Sequence, residues 1–280
     1  MIIAFQGQAG AYSDLACRKA FPDAQTLPCE TFEDAMAAVH DGQAGLAMLP
    51  PENSSSGRVA DMHALLPDSG LSIIGEKFSR IEHCLMAPKG ATIGGVRRIH
   101  SHSVALGQVR KLIAELGATP IVEYDTAGAA EIVARLNNPE DAAIASSLAA
   151  ELHGLTILRD NVEDFTHNTT RFYVMAREPL HLDPNTPDLM TTFVFNVRNV
   201  PAALYKALGG FATNGVNMTK LESYMVNGSF TATQFLAEVE GHPDLPALVH
   251  AFDELKFFST EIKILGTYPA DPYRLKQRKG

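Results

Sequence analysis

A polar run in the second half of the chain carries a threonine beside an arginine. The run is His167-Asn168-Thr169-Thr170-Arg171-Phe172, and it leads into an apolar stretch that is typical of a buried strand. A hydroxyl group can donate a proton, and a guanidinium is a permanent cation that suits a carboxylate. A surface ion pair of Arg171 is an equally good interpretation of the local sequence.

Two further polar clusters follow predicted strands, where open α/β sheets place their ligands. The turn at residues 6–13 contains two glycines and precedes a helix, so its backbone amides could approach an anion. In residues 50–57, the amide of Asn53 and the hydroxyl of Ser54 could donate to carboxylate or ketone oxygens. Both clusters are therefore candidate substrate contacts.

A fourth polar cluster, residues 100–103, contains two histidines and two serines and precedes a helix that would carry Gln108. Side chains and free backbone amides would converge at the N-terminus of that helix. The two histidines could be metal ligands on a strand, but no third ligand is evident in the sequence. We therefore predict no metal site.

Motifs and charge argue against several function classes. The glycines of residues 6–13 do not match the GxGxxG dinucleotide fingerprint, and the sequence shows no Ser-His-Asp order, HExxH or Walker A motif. The formal charge of -9, from 23 Lys and Arg against 32 Asp and Glu, gives no general attraction to nucleic acid or to anionic membrane. We therefore predict no nucleic-acid partner and no membrane partner.

The composition is that of a globular protein. Its 280 residues suffice for roughly two domains, and 46% hydrophobic with 20% charged residues is close to average soluble usage. Three cysteines without CxxC spacing fit a reducing cytoplasm better than a disulfide framework. Neither a signal peptide nor a run of about 18 apolar residues is evident, so we predict a cytoplasmic protein.

Strands and helices alternate up to Met175, which predicts an α/β fold with largely parallel sheets. We expect a strand at residues 46–49 that ends at Pro50-Pro51, and one amphipathic helix over residues 104–116. Prolines at 179, 184 and 187 indicate a linker. Beyond it, residues 191–265 predict the order βαββαβ of a ferredoxin-like domain, with a hairpin turn at Asn227-Gly228.

Taken together, the motifs resemble those of the prephenate dehydratase family, in its monofunctional bacterial form, over nearly the whole chain. Each motif is short, but their joint order and spacing are specific. The C-terminal part resembles an ACT domain, which in that family binds an amino acid at a subunit interface. The segments that carry the resemblance are Phe5-Gln6-Gly7, Gly10-Ala11-Tyr12-Ser13, Leu49-Pro50-Pro51-Glu52-Asn53-Ser54 with Gly57, Ile81 with His83, Ser101-His102 with Ala105-Leu106 and Gln108, Thr126-Ala127-Gly128-Ala129-Ala130, and Asn168-Thr169-Thr170-Arg171-Phe172.

The resemblance implies a two-lobed α/β catalytic region of the periplasmic-binding-protein type at residues 1–178, with the second lobe at approximately 79–158 and the substrate between the lobes. It implies a ferredoxin-like βαββαβ ACT domain at residues 189–268. The implied enzyme is a carbon-oxygen lyase that converts prephenate to phenylpyruvate without a cofactor. L-Phenylalanine is the implied feedback inhibitor, and the implied assembly is a homodimer or homotetramer.

The resemblance also implies roles for individual residues. Thr170 would donate the proton to the leaving ring hydroxyl, and Arg171 and Phe172 would complete the catalytic motif. The turn at residues 6–13 would close the cleft. The residues implied to orient the substrate are Asn53, Ser54, Ser101, Gln108, Thr126, Ala127 and Gly128. Those implied to bind L-phenylalanine are Ala203, Leu204, Asn217, Met218, Glu222 and Ser223.

The sequence departs from the family pattern in two regions. Ser103-Val104 stands where the family usually has Pro-Gln, and in the ACT segment Tyr224-Met225 replaces the usual Arg-Pro and Ala202 the usual glycine. Two alternatives stay open. One is arogenate as the substrate, in which an amino group replaces the side-chain keto oxygen, and the other is a non-catalytic amino-acid sensor. The intact Thr170-Arg171-Phe172 motif favours an enzyme over a sensor.

Overall fold

The structure is a computed structural model that describes residues 1–165, 167–198, 200–225 and 232–277. The chain divides into two compact units, residues 1–59 with 78–172 and residues 60–77 with 173–280. The predicted hairpin turn at Asn227-Gly228 lies outside the described residues. The domain bounds 1–178 and 189–268 stay predictions.

The described helices and strands alternate through the first two thirds of the chain. The first group is β1 (Ile2–Gln6), α1 (Tyr12–Ala20), β2 (Gln25–Cys29), α2 (Phe32–His40), β3 (Leu46–Asn53), β4 (Gly57–Arg58), α3 (Ala60–Leu65) and β5 (Ser72–Arg80). The second is β6 (Cys84–Ala87), β7 (Arg98–His102), α4 (Ser103–Gly107), α5 (Arg110–Leu116), β8 (Thr119–Glu123), α6 (Thr126–Leu136), β9 (Asp141–Ala145), α7 (Ser147–His153), β10 (Thr156–Arg159) and β11 (Thr169–Ala176). The third is β12 (Leu189–Val197), α8 (Ala203–Thr213), β13 (Met218–Met225), β14 (Ala232–Glu240), α9 (Pro246–Phe258), β15 (Ser259–Pro269) and α10 (Pro272–Gln277).

Two sheets form the predicted two-lobed α/β region. The first has the strand order β2-β1-β3-β11-β5, with β4 paired to β3, and β1 runs parallel to both of its neighbours. The second has the order β10-β6-β9-β7-β8. Here β7 is parallel to β8 and β9, but β6 is antiparallel to β9 and β10. The prediction of largely parallel sheets is therefore wrong for the second lobe, in which β6 lies between β9 and β10 and runs antiparallel to both.

Strand β3 does not end at Pro50-Pro51 as predicted but continues to Asn53. The prolines lack a backbone N–H, yet the Pro51 carbonyl still accepts the Val59 N–H at 2.9 Å. Beyond them, Asn53 lies opposite Gly57 in the short hairpin with β4. Asn53 is therefore held on a strand and not in a loop.

The predicted helix over residues 104–116 is two helices, α4 and α5. Asp164 explains the break, because its carboxylate accepts the backbone N–H groups of Arg110 at 2.9 Å and Lys111 at 3.1 Å. These bonds satisfy the N-terminus of a second helix. The Asp164 N–H in turn donates to the Gln108 carbonyl at 2.7 Å. Gln108, predicted within a helix, therefore lies at the junction between two helices.

The turn after β1 connects the two lobes through Gly10. The Ser146 hydroxyl donates to the Gly10 carbonyl at 2.6 Å, and a Cβ at Gly10 would lie 3.1 Å from the Cα atom of Ala149. Gly10 also has a φ of +87°, which residues with a side chain rarely adopt. Glycine at this position therefore allows the close approach that sets the start of α1.

The third sheet confirms the predicted ferredoxin-like topology. Its order β13-β14-β12-β15 is antiparallel throughout, and α8 and α9 are the helices of the βαββαβ unit. Phe193, Phe211 and Phe252 pack together in its core, with the rings of Phe193 and Phe252 5.0 Å apart in an edge-to-face arrangement.

Residues 60–77 belong to the same compact unit as the ferredoxin-like sheet. A Cβ at Gly266 of β15 would lie 2.0 Å from the Ile73 carbonyl oxygen, so only glycine allows this backbone approach. Arg274 of α10 forms two hydrogen bonds of 2.8 Å with the buried carboxylate of Glu76. These contacts join segments that are distant in sequence, so the order of elements along the chain could not predict them.

Ala202, which precedes α8, adopts a left-handed conformation with a φ of +62°. The other described non-glycine residues with positive φ are Asn137, Asn161 and Asp188, whose side chains tolerate this region. An alanine there is strained by about 1–2 kcal/mol. The glycine that the family pattern has at this position would adopt the same conformation without that strain.

We expect Ala202→Gly to raise the free energy of unfolding by about 1 kcal/mol, because relief of the left-handed strain exceeds the entropy gained by the unfolded chain. Urea unfolding curves would measure the change. Ala203→Gly, one residue later and within α8, is the matched control and should lower stability by a similar amount. A loss of stability in Ala202→Gly would contradict this account.

Candidate active site

A cavity of about 260 Å³ in the first unit is lined by residues from both lobes. None of the lining residues within the described part of the chain is an aspartate, glutamate, lysine or arginine. From the first lobe and its connection, the lining residues are Tyr12, Ser13, Pro50, Asn53, Ser56, Val59, Ile81, Asn168, Thr170 and Phe172. From the second lobe they are His83, His102, Val104, Ala105, Gln108 and Thr126.

Five of the predicted site residues line this cavity. They are Asn53 at the end of β3, Gln108 after α4, Thr126 at the start of α6, and Thr170 and Phe172 on β11. Four separate segments of the chain thus converge on one volume. This convergence is what the sequence motifs led us to expect.

The hydroxyls of Ser54 and Ser101, predicted to orient the substrate, point to other groups. Ser54 donates to the His167 carbonyl at 2.6 Å and accepts the Thr169 N–H at 2.9 Å. Ser101 is fully buried and donates to the Ile144 carbonyl at 2.6 Å. Neither residue lines the cavity. Both hydroxyls join neighbouring backbone segments and so support the cavity wall indirectly.

Ala127 and Gly128 lie in the first turn of α6 and not in a loop, and neither lines the cavity. Ala127 is buried in the lobe, and the Gly128 N–H donates to the Asp125 carboxylate at 2.7 Å. This bond caps the helix. Of the predicted 126–128 segment, only Thr126 reaches the cavity.

Arg171 also lies behind the cavity wall. Its guanidinium is only 3% exposed, bonds to Glu52 at 2.8 Å, and lies 5.9 Å from the centre of the Phe78 ring. Because its charge is matched by a carboxylate on β3, Arg171 contributes to the pairing of β3 with β11. The ion pair considered from the sequence therefore joins a buried guanidinium to a partly exposed carboxylate.

The side-chain amide of Asn53 is fixed by four hydrogen bonds. Its Oδ1 accepts the backbone N–H groups of Ser55 at 2.8 Å and Ser56 at 2.9 Å. Its Nδ2 donates to Asn168 Oδ1 at 2.7 Å and to Thr170 Oγ1 at 2.9 Å. Backbone N–H groups can only donate, so they decide which end of the Asn53 amide is the oxygen. Thr170 accepts from Asn53 and keeps its own proton for a group in the cavity.

A second set of hydrogen bonds extends this network across the cavity wall. Tyr12 Oη lies 2.5 Å from His83 Nδ1, and His83 Nε2 lies 2.8 Å from Gln108 Oε1. Asn168 Nδ2 donates to the same Gln108 oxygen at 3.0 Å. Burial lowers the pKa of His83 and raises the pKa of Tyr12 well above its usual value. Both rings are therefore neutral at neutral pH.

Three residues of this network, Tyr12, His83 and Asn168, were not among the predicted site residues. The sequence did contain a signal for them, since each belongs to one of the motif segments. What it lacked was the side-chain geometry that brings Tyr12 and His83, which are 71 positions apart, to hydrogen-bonding distance.

A second cavity of about 600 Å³ adjoins the first. Tyr12, Ser13 and Thr126 line both volumes. Much of the second wall comes from the 6–13 turn predicted to close the cleft, and its other side includes Tyr124 and Asp125. The N-termini of α1 and α6 both border this region, but its lining also includes the carboxylates of Glu30 and Asp125.

The six residues predicted to bind L-phenylalanine lie in the second unit. Asn217 donates to Glu240 at 2.9 Å and so joins the start of β13 to the end of β14. On the same β13, the Tyr224 hydroxyl is hydrogen-bonded to His63 Nδ1 of α3. The six residues are Ala203 and Leu204 at the start of α8, Asn217 before β13, and Met218, Glu222 and Ser223 on it.

Comparison with known proteins assigns the chain to a family. Residues 3–180 match the family model for prephenate dehydratase. The chain belongs to the prephenate dehydratase family. A protein of Komagataeibacter europaeus named bifunctional N-acyl-homoserine lactone acylase/prephenate dehydratase is 63% identical over 275 residues, 98% of each chain. Arogenate dehydratase/prephenate dehydratase 2 of Arabidopsis thaliana is 37% identical, over 96% of this chain and 73% of its own.

A solved structure supports the assignment. The prephenate dehydratase of Arthrobacter aurescens, in complex with L-Phe, is 29% identical and superposes with a TM-score of 0.86 over 96% of this chain and 90% of its own. The fold class predicted from the family resemblance is confirmed.

Among the described helices, none combines the length and apolar character needed to cross a bilayer. The described residues also contain no group of three or more His, Cys, Asp or Glu side chains arranged to hold a metal ion.

We expect the ring of His83 to titrate below the ordinary histidine pKa of about 6.5, because burial disfavours the charged ring more than Gln108 and Glu163 favour it. The unfolded chain then binds the proton more readily than the folded chain. The contribution of His83 to stability is complete above about pH 6.5 and is lost as the pH falls toward the lowered value. Ring NMR signals recorded against pH, assigned with His83→Gln, would measure this pKa. A value above that of a histidine model peptide would contradict it.

Proposed function

We propose that this chain is a prephenate dehydratase that removes CO2 and the ring hydroxyl of prephenate to form phenylpyruvate. The observation that carries the proposal is the hydrogen bond of 2.9 Å from Asn53 Nδ2 to Thr170 Oγ1 at the wall of the cavity. This bond occupies the acceptor side of the Thr170 hydroxyl and leaves its proton available for a leaving oxygen. A non-catalytic sensor only has to bind its ligand, so a hydroxyl held as a proton donor favours an enzyme over a sensor.

The reaction needs one proton. The bond between the ring and its carboxylate breaks, CO2 leaves, and the electron pair moves through the ring to expel the hydroxyl. Thr170 transfers its proton to that oxygen, so that water departs and the ring becomes aromatic. The threonine oxygen becomes negatively charged as it loses the proton, and the N–H of Asn53 stabilises this charge. Solvent returns the proton afterwards.

Substrate binding depends on hydrogen-bond donors because the cavity wall carries no cationic side chain among the described residues. The Gln108 oxygen already accepts two hydrogen bonds, so its amide nitrogen is the end available to a carboxylate. The hydroxyls of Ser13 and Thr126 lie at the first turns of α1 and α6, where the helix dipoles favour anions. Phe172 supplies an apolar surface, and Arg171 acts by holding β11 against β3.

The lining residues favour prephenate over arogenate. An arogenate ammonium group needs acceptors, and the described lining of the 260 Å³ cavity contains no carboxylate. The keto oxygen of prephenate needs donors, which Gln108 and the wall hydroxyls supply. Turnover of both compounds by the purified protein, followed as phenylpyruvate and phenylalanine formation, would test this choice. A higher kcat/KM for arogenate would overturn it.

A second candidate activity is hydrolysis of N-acyl-homoserine lactones. The observation that favours it is the 63% identity to the Komagataeibacter europaeus protein whose name includes that acylase. The site offers it less support, because both ring nitrogens of His83 are engaged by Tyr12 and Gln108 and so do not activate a serine. Release of homoserine lactone from a labelled substrate would detect this activity. A rate unchanged in Thr170→Ala would show that the two activities use different groups.

Thr170→Ala should lower kcat for prephenate by about 10²–10⁴-fold, which is the usual contribution of a positioned acid. Thr170→Ser keeps the hydroxyl and is the matched control, with activity within about tenfold of the unaltered protein. Steady-state assays of phenylpyruvate absorbance give kcat, and calorimetry gives the affinity for a non-reactive analogue. The analogue should bind Thr170→Ala nearly as well. Full turnover in Thr170→Ala would show that another group is the acid.

We further propose that the ferredoxin-like domain is an ACT domain through which L-phenylalanine inhibits the enzyme. The complex of the Arthrobacter aurescens relative with L-Phe supports this proposal. Here β13 carries three of the predicted contacts, Met218, Glu222 and Ser223, and its Tyr224 is hydrogen-bonded to His63 of α3. The chain enters α3 directly after Val59, a residue of the cavity wall. A displacement of β13 could therefore reach the substrate site through this hydrogen bond and then along the chain from α3 to Val59.

Tyr224→Phe removes the hydrogen bond to His63 but keeps the ring. We expect the L-phenylalanine concentration for half-inhibition to rise about fivefold or more, with uninhibited turnover within about twofold, because only the coupling between sites is weakened. Inhibition curves would measure the shift. Tyr205→Phe, at an 80% exposed position of α8, is the matched control. Identical curves for Tyr224→Phe and the unaltered protein would contradict this role.

We also propose that the protein is cytoplasmic and forms a homodimer or a homotetramer. The cytoplasm fits three free cysteines, of which Cys17 and Cys84 are buried. Burial raises the pKa of the Cys17 thiol to about 12 and that of Cys84 to about 11, so both are poor nucleophiles for disulfide formation. A homodimer or homotetramer follows from the resemblance to ACT domains, and light scattering of the purified protein would distinguish the two.

A further inference from the structure

We propose that His83 is a positioning residue for the substrate site. Held by the hydroxyl of Tyr12 as the Nε2–H tautomer, it fixes the side chain of Gln108 so that the amide nitrogen, and not the oxygen, faces the substrate. The kinetic part of this inference rests on the proposed dehydratase function, whereas the tautomer itself does not.

The tautomer of His83 can be deduced from the orientations of three side-chain amides. Each orientation fixes the next, and the first is fixed by backbone N–H groups. The N–H groups of Ser55 and Ser56 fix the oxygen of Asn53, so Asn53 Nδ2 donates to Asn168 Oδ1. Asn168 Nδ2 is then the donor to Gln108 Oε1 at 3.0 Å. Each amide orientation determines the next, and the last one directs the Gln108 oxygen towards His83.

The Gln108 oxygen can only accept, and it lies 2.8 Å from His83 Nε2. Nε2 must therefore carry the proton. In the neutral ring, Nδ1 then has a lone pair, and the hydroxyl of Tyr12, 2.5 Å away, donates to it. Tyr12 thus selects the tautomer that Gln108 requires.

With the other tautomer of His83, Gln108 would present a hydrogen-bond acceptor to the cavity instead of a donor. A lone pair on His83 Nε2 would face the Gln108 oxygen, and the amide would turn to present its nitrogen to the ring. Its oxygen would then face the cavity and repel the carboxylates of the substrate, and Asn168 would lose its acceptor. The hydroxyl of Tyr12, acting through His83, and the amide of Asn168 therefore both favour the orientation in which Gln108 donates to the substrate.

The backbone at this position is held independently of the ring. The His83 N–H donates to Glu163 at 3.0 Å, and the His83 carbonyl accepts the Val162 N–H at 3.0 Å. A change of the ring therefore leaves two backbone hydrogen bonds in place. This separation allows the role of the ring to be tested apart from a general structural role.

The first experiment is NMR of the full chain with ¹⁵N-labelled histidine, without substrate. At neutral pH we expect the His83 signals of the Nε2–H tautomer, with Nδ1 unprotonated. In Tyr12→Phe, where Asn168 still holds the Gln108 oxygen, we expect this preference to weaken. A predominant Nδ1–H tautomer or a charged ring in the unaltered protein, or an unchanged preference in Tyr12→Phe, would overturn the proposal. None of these outcomes depends on the identity of the substrate.

The second experiment compares two replacements of His83 in prephenate turnover. Gln can place an N–H near the position of Nε2 and reach Gln108, whereas Asn places its amide only near Nδ1. We expect His83→Asn to lower kcat/KM about 100-fold, mainly through KM, and His83→Gln to restore it to within about tenfold of the unaltered protein. His250→Asn, at an exposed position of α9, is the matched control.

Equal loss in both His83 variants, or no loss in either, would overturn the positioning role. Unfolding midpoints of both variants show whether a loss reflects stability, and Tyr12→Phe, which leaves the imidazole in place, should also raise KM. If the unaltered protein fails to turn over prephenate, the proposed function fails, while the NMR result still decides the tautomer.

Discussion

The hydrogen bonds of the Asn53 side chain are the interaction on which the site depends. One amide joins β3 to Asn168, which directly precedes β11, at 2.7 Å and to Thr170 of β11 at 2.9 Å. Its own orientation comes from backbone N–H groups that cannot reverse. Because the amide has one orientation, Thr170 has one free proton and Asn168 has one direction in which to donate. In the proposed reaction, one side chain thus positions both the acid and a contact to the substrate.

The surrounding fold serves to hold this amide in place. The hairpin of β3 and β4 places Asn53 at the end of a strand, and the ion pair of the buried Arg171 with Glu52 joins β3 to β11. In the second lobe, Asp164 ends α4 and begins α5, and the break leaves Gln108 at the junction. Gly10 and Ser146 connect the lobes beside Tyr12. An uncharged cavity wall requires such rigid support, since fixed dipoles and not flexible cations must bind an anion.

The sequence predicted the fold class, the βαββαβ unit and five residues of the cavity, because alternation of apolar segments and the position of polar runs after strands are local features. The sequence-based predictions of element boundaries were wrong where contacts with residues distant in the sequence determine the local structure. Asp164 divides a run that is amphipathic throughout, and β3 continues through two prolines because Val59 pairs with the second. Ser54, Ser101 and Arg171 have suitable functional groups, but these groups bond to the Thr169 backbone, the Ile144 carbonyl and Glu52. Periodicity cannot predict such partners.

A double-mutant cycle with Asn53→Ala and Thr170→Ala, read as kcat/KM for prephenate, tests the central claim most directly. If Asn53 acts largely through the Thr170 hydroxyl, removing its amide should cost at least about tenfold less when that hydroxyl is already absent. Calorimetric affinities for a non-reactive analogue, measured on the same four proteins, would separate binding from proton transfer. Equal losses from Asn53→Ala in both backgrounds would mean that the two residues act independently, and would contradict this account.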